Sequence, residues 1–75
     1  MDRTTAEKAK DYTDAGDSVT VIDDLAAKSS LTDDEKDTMQ RNIGHLEIMV
    51  AKTDWASSQS MDSFNAAITK GKAKL

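Results

Sequence analysis

The sequence predicts an all-α fold: a small helical hairpin of two long antiparallel helices with a shorter third helix, which makes a three-helix bundle. The 75 residues include no proline, three glycines and one residue each of Trp, Tyr and Phe. Strand-rich domains use more turn-forming, aromatic and β-branched residues than this. In three segments, apolar side chains recur every three or four positions, as helices that bury one side require.

The first segment predicts a helix over about residues 4–28. Thr4 or Thr5 is a suitable N-cap, and Glu7 falls in the first turn, where an acidic side chain interacts favourably with the helix dipole. Gly16 interrupts the segment and costs about 1 kcal/mol relative to alanine. The sequence leaves open whether the helix is broken or bent there. The apolar positions of this segment are Tyr12, Ala15, Val19, Ile22 and Ala26.

The second segment predicts a helix over about residues 33–52. Thr32-Asp33-Asp34-Glu35 matches the capping box, in which the threonine and glutamate side chains each accept a hydrogen bond from the other residue's backbone N–H. Lys52 suits the negative end of the helix dipole. The apolar positions of this segment are Met39, Ile43, Leu46 and Val50.

The third segment predicts a shorter helix over about residues 60–70, with Trp55 in the preceding connector. Gly71 then fits the position just after a helix, where glycine accepts the left-handed conformation. Residues 72–75 are expected to be a frayed tail. The whole chain is expected to form one domain, because 75 residues lie below the usual domain size. The apolar positions of this segment are Met61, Phe64, Ala67 and Ile68.

The charge distribution argues against nucleic-acid binding. All fourteen acidic and seven of the ten basic residues lie in residues 1–62, giving −7 there, whereas residues 63–75 carry +3. An acidic body repels phosphate backbones. No stretch approaches the ~20 apolar residues of a membrane span, and no secretory signal is apparent. We therefore expect an intracellular protein without direct nucleic-acid or membrane partners.

Four apolar residues are candidates for an interaction surface. Val21 and Leu25 lie on the opposite side of the first helix from Tyr12, and Ile48 lies opposite Met39 on the second helix. Met49 adjoins them. Either another helix of the same chain covers these positions, or they contact a protein partner or a second copy of the chain.

The sequence predicts neither a catalytic site, a cofactor nor a metal site. His45 is the one histidine, and no serine has a recognisable nucleophile setting. A calcium loop aligned on Asp11 to Ile22 fails, because Ala15 and Ile22 occupy ligand positions. There is no cysteine to provide a thiolate ligand or a disulfide.

Gly16-Asp17-Ser18-Val19, followed by Ile22-Asp23-Asp24-Leu25, resembles the modification site of acyl carrier proteins, which are also small, acidic and helical. The resemblance implies that Ser18 carries a phosphopantetheine arm. The chain departs from that family because only seventeen residues precede Ser18, where the family has a helix and a long loop. A carrier modified on Ser18 is therefore an alternative function.

The segment from Asn42 to Lys52, with Trp55 and the later segment from Phe64 to Gly71, is similar to small uncharacterised phage and prophage proteins. That resemblance implies a phage-encoded accessory or virion-associated protein and assigns no functional residue. We therefore expect a non-enzymatic helical protein that acts by helix packing, located in the host cytoplasm or the virion. A further alternative is an acidic decoy of a nucleic-acid-binding protein.

Overall fold

The computed structural model describes residues 2–75 and confirms the all-α class. It contains three helices, α1 (Thr5–Ala26), α2 (Asp33–Ala51) and α3 (Asp62–Lys72), and every pair of them is in contact. No strand occurs among the described residues. The helices form an elongated three-helix bundle of 40 × 19 × 16 Å.

Both long helices begin with a complete capping box. In α1 the Glu7 backbone N–H donates to Thr4 Oγ1 at 3.1 Å, and the Thr4 N–H donates to the Glu7 carboxylate at 2.8 Å. Thr32 and Glu35 form the same pair of bonds at the start of α2, at 3.1 and 2.9 Å. Removing such a cap typically costs about 1 kcal/mol. These caps therefore determine where the two helices begin.

The first helix is continuous through Gly16, which settles the question that the sequence left open. The Thr20 hydroxyl donates to the Gly16 carbonyl at 3.2 Å, one turn back along the same helix. A Cβ added at Gly16 would meet nothing within 4 Å. The glycine is therefore not required there by a close contact.

Gly71 differs from its expected position, because it lies inside α3 and has no positive φ. It is buried, and a Cβ at this position would lie 2.9 Å from Ile43 Cδ1 and 3.0 Å from Met39 Sδ. The absence of a side chain allows α3 to approach α2 closely. The expected frayed tail differs as well, since Lys72 is helical and Lys74 Nζ donates to the Lys28 carbonyl at 2.6 Å.

Contacts between side chains give the order and direction of the helices. Ser18 of α1 faces His45 of α2, and Lys28 pairs with Glu35 near the connection between them, so α1 and α2 are antiparallel. Helix α3 runs parallel to α1, because its first turns contact Tyr12 and Lys70 near its end pairs with Asp23. The buried apolar core consists of Ala15, Ile22, Met39, Ile43, Leu46, Phe64 and Ala67.

Candidate interaction surface

One side of the α1–α2 hairpin is not covered by α3, and we call it the outer face. Helix α3 packs on the side of α2 that carries Met39 and Ile43. Ile48 lies about 180° around α2 from Met39. Two large apolar side chains are exposed among the described residues, Ile48 at 61% and Leu75 at 48%. Ile48 is the one on a long helix, and it therefore marks the outer face of α2.

The other three candidate residues are less exposed than Ile48. Val21 is half-buried on the α1 side of the outer face. Leu25 and Met49 are half-buried and pack against the core, so they take part in intramolecular packing. Leu25 lies about 60° from the buried Ile22 around α1, whereas Tyr12 lies at the edge of the buried side. The angle around α1 from Tyr12 predicts Leu25 on the outer face, but Tyr12 does not mark the centre of the buried side. Leu25 therefore packs against the core instead.

Charged residues of both signs lie along the outer face on each of the two helices. On α1 these residues are Lys10, which pairs with Asp14 at 2.8 Å, followed by Asp17 and Asp24, with Val21 between the last two. The spacings of three, four and three residues from Asp14 through Asp17 and Val21 to Asp24 keep these residues on one side of the helix.

On α2 and at its C-cap, the same side carries Asp37, Arg41, His45 and Lys52, with Ile48 between the last two, at spacings of four, four, three and four. Arg41 pairs with Asp37 in its own helix at 3.0 Å, and its side chain remains 78% exposed. Such exposed pairs within a helix contribute only about 0.3–0.5 kcal/mol. Arg41 is therefore available to other acidic groups.

Ser18 and His45 form the polar contact at the inner edge of the outer face. Ser18 Oγ lies 2.8 Å from His45 Nδ1, and Ser18 is only 5% exposed in the middle of α1. When the serine hydroxyl donates to Nδ1, the hydrogen of the neutral imidazole lies on Nε2. This burial argues against the carrier alternative, because an attached arm and the enzyme that adds it need an accessible hydroxyl.

Arg3, just before α1, belongs to a cluster that the sequence analysis did not find. Arg3 donates to the Asp54 carboxylate at 2.6 and 3.1 Å and to Asp11 at 2.6 Å, and its guanidinium lies 4.3 Å from the centre of the Trp55 ring. The Arg3 and Asp54 side chains are 15% and 12% exposed. These bonds hold the pKa of Asp54 well below its usual range and raise the pKa of Arg3.

The three aromatic residues meet at this same end of the bundle. The ring of Tyr12 meets that of Trp55 edge to face, with 5.7 Å between the ring centroids, and its centroid lies 5.0 Å from that of Phe64. The polar atoms of Tyr12 and Trp55 are hydrogen-bonded to the backbone. Tyr12 Oη donates to the Ser60 carbonyl, and Trp55 Nε1 donates to the Met49 carbonyl. The cluster therefore attaches the α2–α3 connector to the first half of α1. It is a structural element that leaves the outer face free.

Two further properties concern residues 2–75. Across that range, no three His, Asp or Glu side chains are grouped so that they can hold a metal ion. None of the helices in the same range combines the length and the apolar character needed to cross a bilayer.

Comparison of this chain with protein-family models, with curated proteins and with solved structures gives no match. The outer face of the hairpin is therefore the feature from which a function can be inferred.

Proposed function

We propose that this protein is a non-enzymatic interaction or structural module, and that the outer face of its α1–α2 hairpin binds another helix. The single observation that supports the proposal is the position of Ile48. It is 61% exposed in the last turn of a long helix, on the side away from α3. Together with the half-buried Val21 it offers the kind of apolar anchor that an amphipathic helix contacts when it docks.

The physical basis is burial of apolar surface on a preformed scaffold. Complete burial of an isoleucine side chain contributes roughly 1.5–3 kcal/mol. Because Ile48 is 61% exposed, more than half of that free energy can still be gained when a partner covers it. Val21 adds a smaller area from α1. Both helices are already formed by intramolecular packing, so binding does not have to order them first. The charged side chains around these apolar residues add selectivity for a partner of matching charge.

We also propose the biological setting that the resemblance of residues 42–52 and 64–71 implies, a phage-encoded accessory or virion-associated protein in the host cytoplasm or the virion. A surface that binds helices suits either location, because both roles depend on association with other proteins. The acidic decoy is a separate hypothesis, and it depends on charge alone. The two hypotheses differ in what they require of Val21 and Ile48.

Site-specific photo-cross-linking tests this proposal in the cells that produce the protein. A photo-reactive amino acid replaces Ile48 in one variant and Asn65 in a matched control, because Asn65 is exposed on α3. We expect a discrete adduct from position 48 and none from position 65. Adding Val21→Lys to the position-48 variant should strongly reduce the adduct, since it places a charge in the apolar contact.

Two results would overturn the proposal. One is the absence of an adduct from position 48, or equal adducts from both positions, because the outer face is then not a binding surface. The other is an adduct that disappears at high salt and is unaffected by Val21→Lys. That behaviour indicates binding by charge alone, as the acidic decoy requires.

A further inference from the structure

We propose that α3 is a hinged cover on the α1–α2 hairpin, fixed at its first turns and held at its C-terminal end by three lysines that we call the latch. When the latched end lifts, the apolar surface of α2 around Met39 and Ile43 becomes exposed while the hairpin stays folded. The cover lies on the side of the hairpin away from the outer face, so the proposal does not depend on what the outer face binds.

The connector that leads into α3 is attached to the start of the chain independently of α3. Asp54 pairs with Arg3, and Tyr12 Oη donates to the Ser60 carbonyl at 2.9 Å. Ser60 lies directly before the N-cap of α3. Because neither bond involves a residue of α3, both remain when α3 moves. The pivot of the cover therefore lies close to Ser60.

The third helix is the one that depends most on its surroundings. It has 11 residues, and the side chain of its N-cap, Met61, makes no capping hydrogen bond, whereas α1 and α2 have complete capping boxes. At its start the Asp62 N–H donates to Ser60 Oγ at 3.1 Å. A helix of this length is marginal in water on its own. When α3 lifts, its helical hydrogen bonds are therefore lost as well.

The side chains that α3 buries become smaller toward its C-terminal end. Phe64 is 2% exposed, and its ring centroid lies 5.0 Å from that of Tyr12. The next buried residues along the helix are Ala67 and Gly71, and Ile68 is half-buried. Apolar stabilisation increases with the area that is buried. The apolar packing of α3 is therefore concentrated near the pivot, and its far end depends more on polar contacts.

The latch joins the far end of α3 to both long helices. Its bonds run from Lys70 Nζ to Asp23 at 2.8 Å, from Lys72 Nζ to Glu47 at 2.9 Å and from Lys74 Nζ to the Lys28 carbonyl at 2.6 Å. The side chains of the two ion pairs are about half exposed. Exposed ion pairs stabilise only weakly and are screened by salt. The latch can therefore open without the rest of the protein unfolding.

Opening uncovers the part of α2 on which Gly71 lies. A Cβ at Gly71 would lie 2.9 Å from Ile43 Cδ1 and 3.0 Å from Met39 Sδ, so the backbone of α3 rests directly on these side chains. With the cover closed, Met39 is 0% and Ile43 is 4% exposed. The bond between Ser18 and His45 joins α1 to α2 without α3. The open state thus presents a second apolar surface on a hairpin that keeps its own contacts.

Native-state amide hydrogen exchange measured by NMR tests the cover. In the wild type, the slowest amides of residues 67–72 should exchange at least about tenfold faster than the slowest amides of α2, because opening requires less than global unfolding. The latch variant is Lys70→Gln with Lys72→Gln. It should speed exchange of the residue 67–72 amides roughly three- to tenfold, because it removes two bonds that exist only in the closed state.

The matched control is Lys10→Gln with Arg41→Gln, which changes the net charge by the same amount. Its two ion pairs lie within α1 and within α2, so they persist when the cover is open. The control should leave exchange of the residue 67–72 amides unchanged and speed only amides that exchange by global unfolding. In a protein that unfolds as a single unit, both variants would speed the α3 and α2 amides alike.

A second readout reports on the surface beneath the cover. The chain has no cysteine, so Ile43→Cys introduces a single thiol. Its rate of labelling by a thiol reagent should rise in the latch variant and stay unchanged in the control. Faster labelling in the latch variant alone supports the cover. Equal protection of α3 and α2 in the wild type, or a control that speeds α3 exchange as much as the latch variant does, overturns it.

Discussion

Replacing each of two glycines by alanine should separate the helical propensity of these positions from the packing between helices. Gly16 and Gly71 both lie within helices at negative φ, so alanine gains up to about 1 kcal/mol of propensity at either position. At Gly16 the added Cβ meets nothing within 4 Å. Gly16→Ala should therefore stabilise the protein by about 0.5–1 kcal/mol, which raises the Tm by roughly 3–6 °C for a chain of this size.

At Gly71 the same gain is opposed by contact with α2. The added Cβ would lie 2.9 Å from Ile43 Cδ1, 3.1 Å from Ile43 Cγ1 and 3.0 Å from Met39 Sδ. Overpacking of this kind costs about 1–3 kcal/mol, and the lower part of that range applies because the nearest atom ends a side chain that can move. Gly71→Ala should therefore be less stable than Gly16→Ala by about 1–2 kcal/mol.

Thermal and urea denaturation followed by circular dichroism measure both variants against the wild type. Combining Gly71→Ala with Ile43→Val provides a second control, because valine lacks the Cδ1 atom that the new Cβ would approach most closely. The double variant should lose less stability than the two single changes added together. Equal stabilisation by Gly16→Ala and Gly71→Ala would refute the reasoning, because the close approach of α3 to α2 would then not depend on glycine.

Two further predictions concern the ion pairs. The pKa of Glu35 is lowered to about 2 by Lys28 and by the Thr32 N–H, so the stability from its ionised form is complete above about pH 4.5 and is lost as the pH falls toward 2. In Glu35→Gln the urea midpoint should therefore change less with pH between about 4.5 and 2 than it does in the wild type. If the midpoint of the variant falls as steeply over that range, the acid sensitivity does not come from Glu35. Arg3→Met should lower the urea midpoint clearly more than the exposed control Lys10→Met, because it leaves the Asp54 carboxylate without its cation. NMR titration should show the pKa of Asp54 rising in Arg3→Met, and equal effects of both variants would contradict a role for the cluster.

Local signals in the sequence predicted the helices, because their causes are local. The box from Thr32 to Glu35 was visible as four adjacent residues, and the structure contains both of its hydrogen bonds. The apolar spacing of α2 correctly predicted Met39, Ile43 and Leu46 as core residues. Such features depend on atoms within one or two turns, and the sequence order alone brings those atoms together.

The differences arise where a distant residue determines the outcome. Gly71 has the local signature of a helix end, but its close approach to Met39 and Ile43 favours glycine inside the helix. Arg3 and Asp54 are 51 residues apart, and no local pattern relates them. The position of Leu25 depends on which side of α1 the other helices cover, which the periodicity of a single helix does not determine. Contacts of this kind can be predicted only after the helices have been placed relative to one another.

The contact between Ser18 and His45 bears on what the outer face can bind. Buried polar groups oppose association unless they remain hydrogen-bonded, and Ser18 already has its partner within the chain. When its hydroxyl donates to Nδ1, His45 has an Nε2 hydrogen left for an acceptor outside the monomer. A helix that docks on the outer face, as we propose, then meets a hydrogen-bond donor of fixed direction close to Ile48 in addition to the apolar contact.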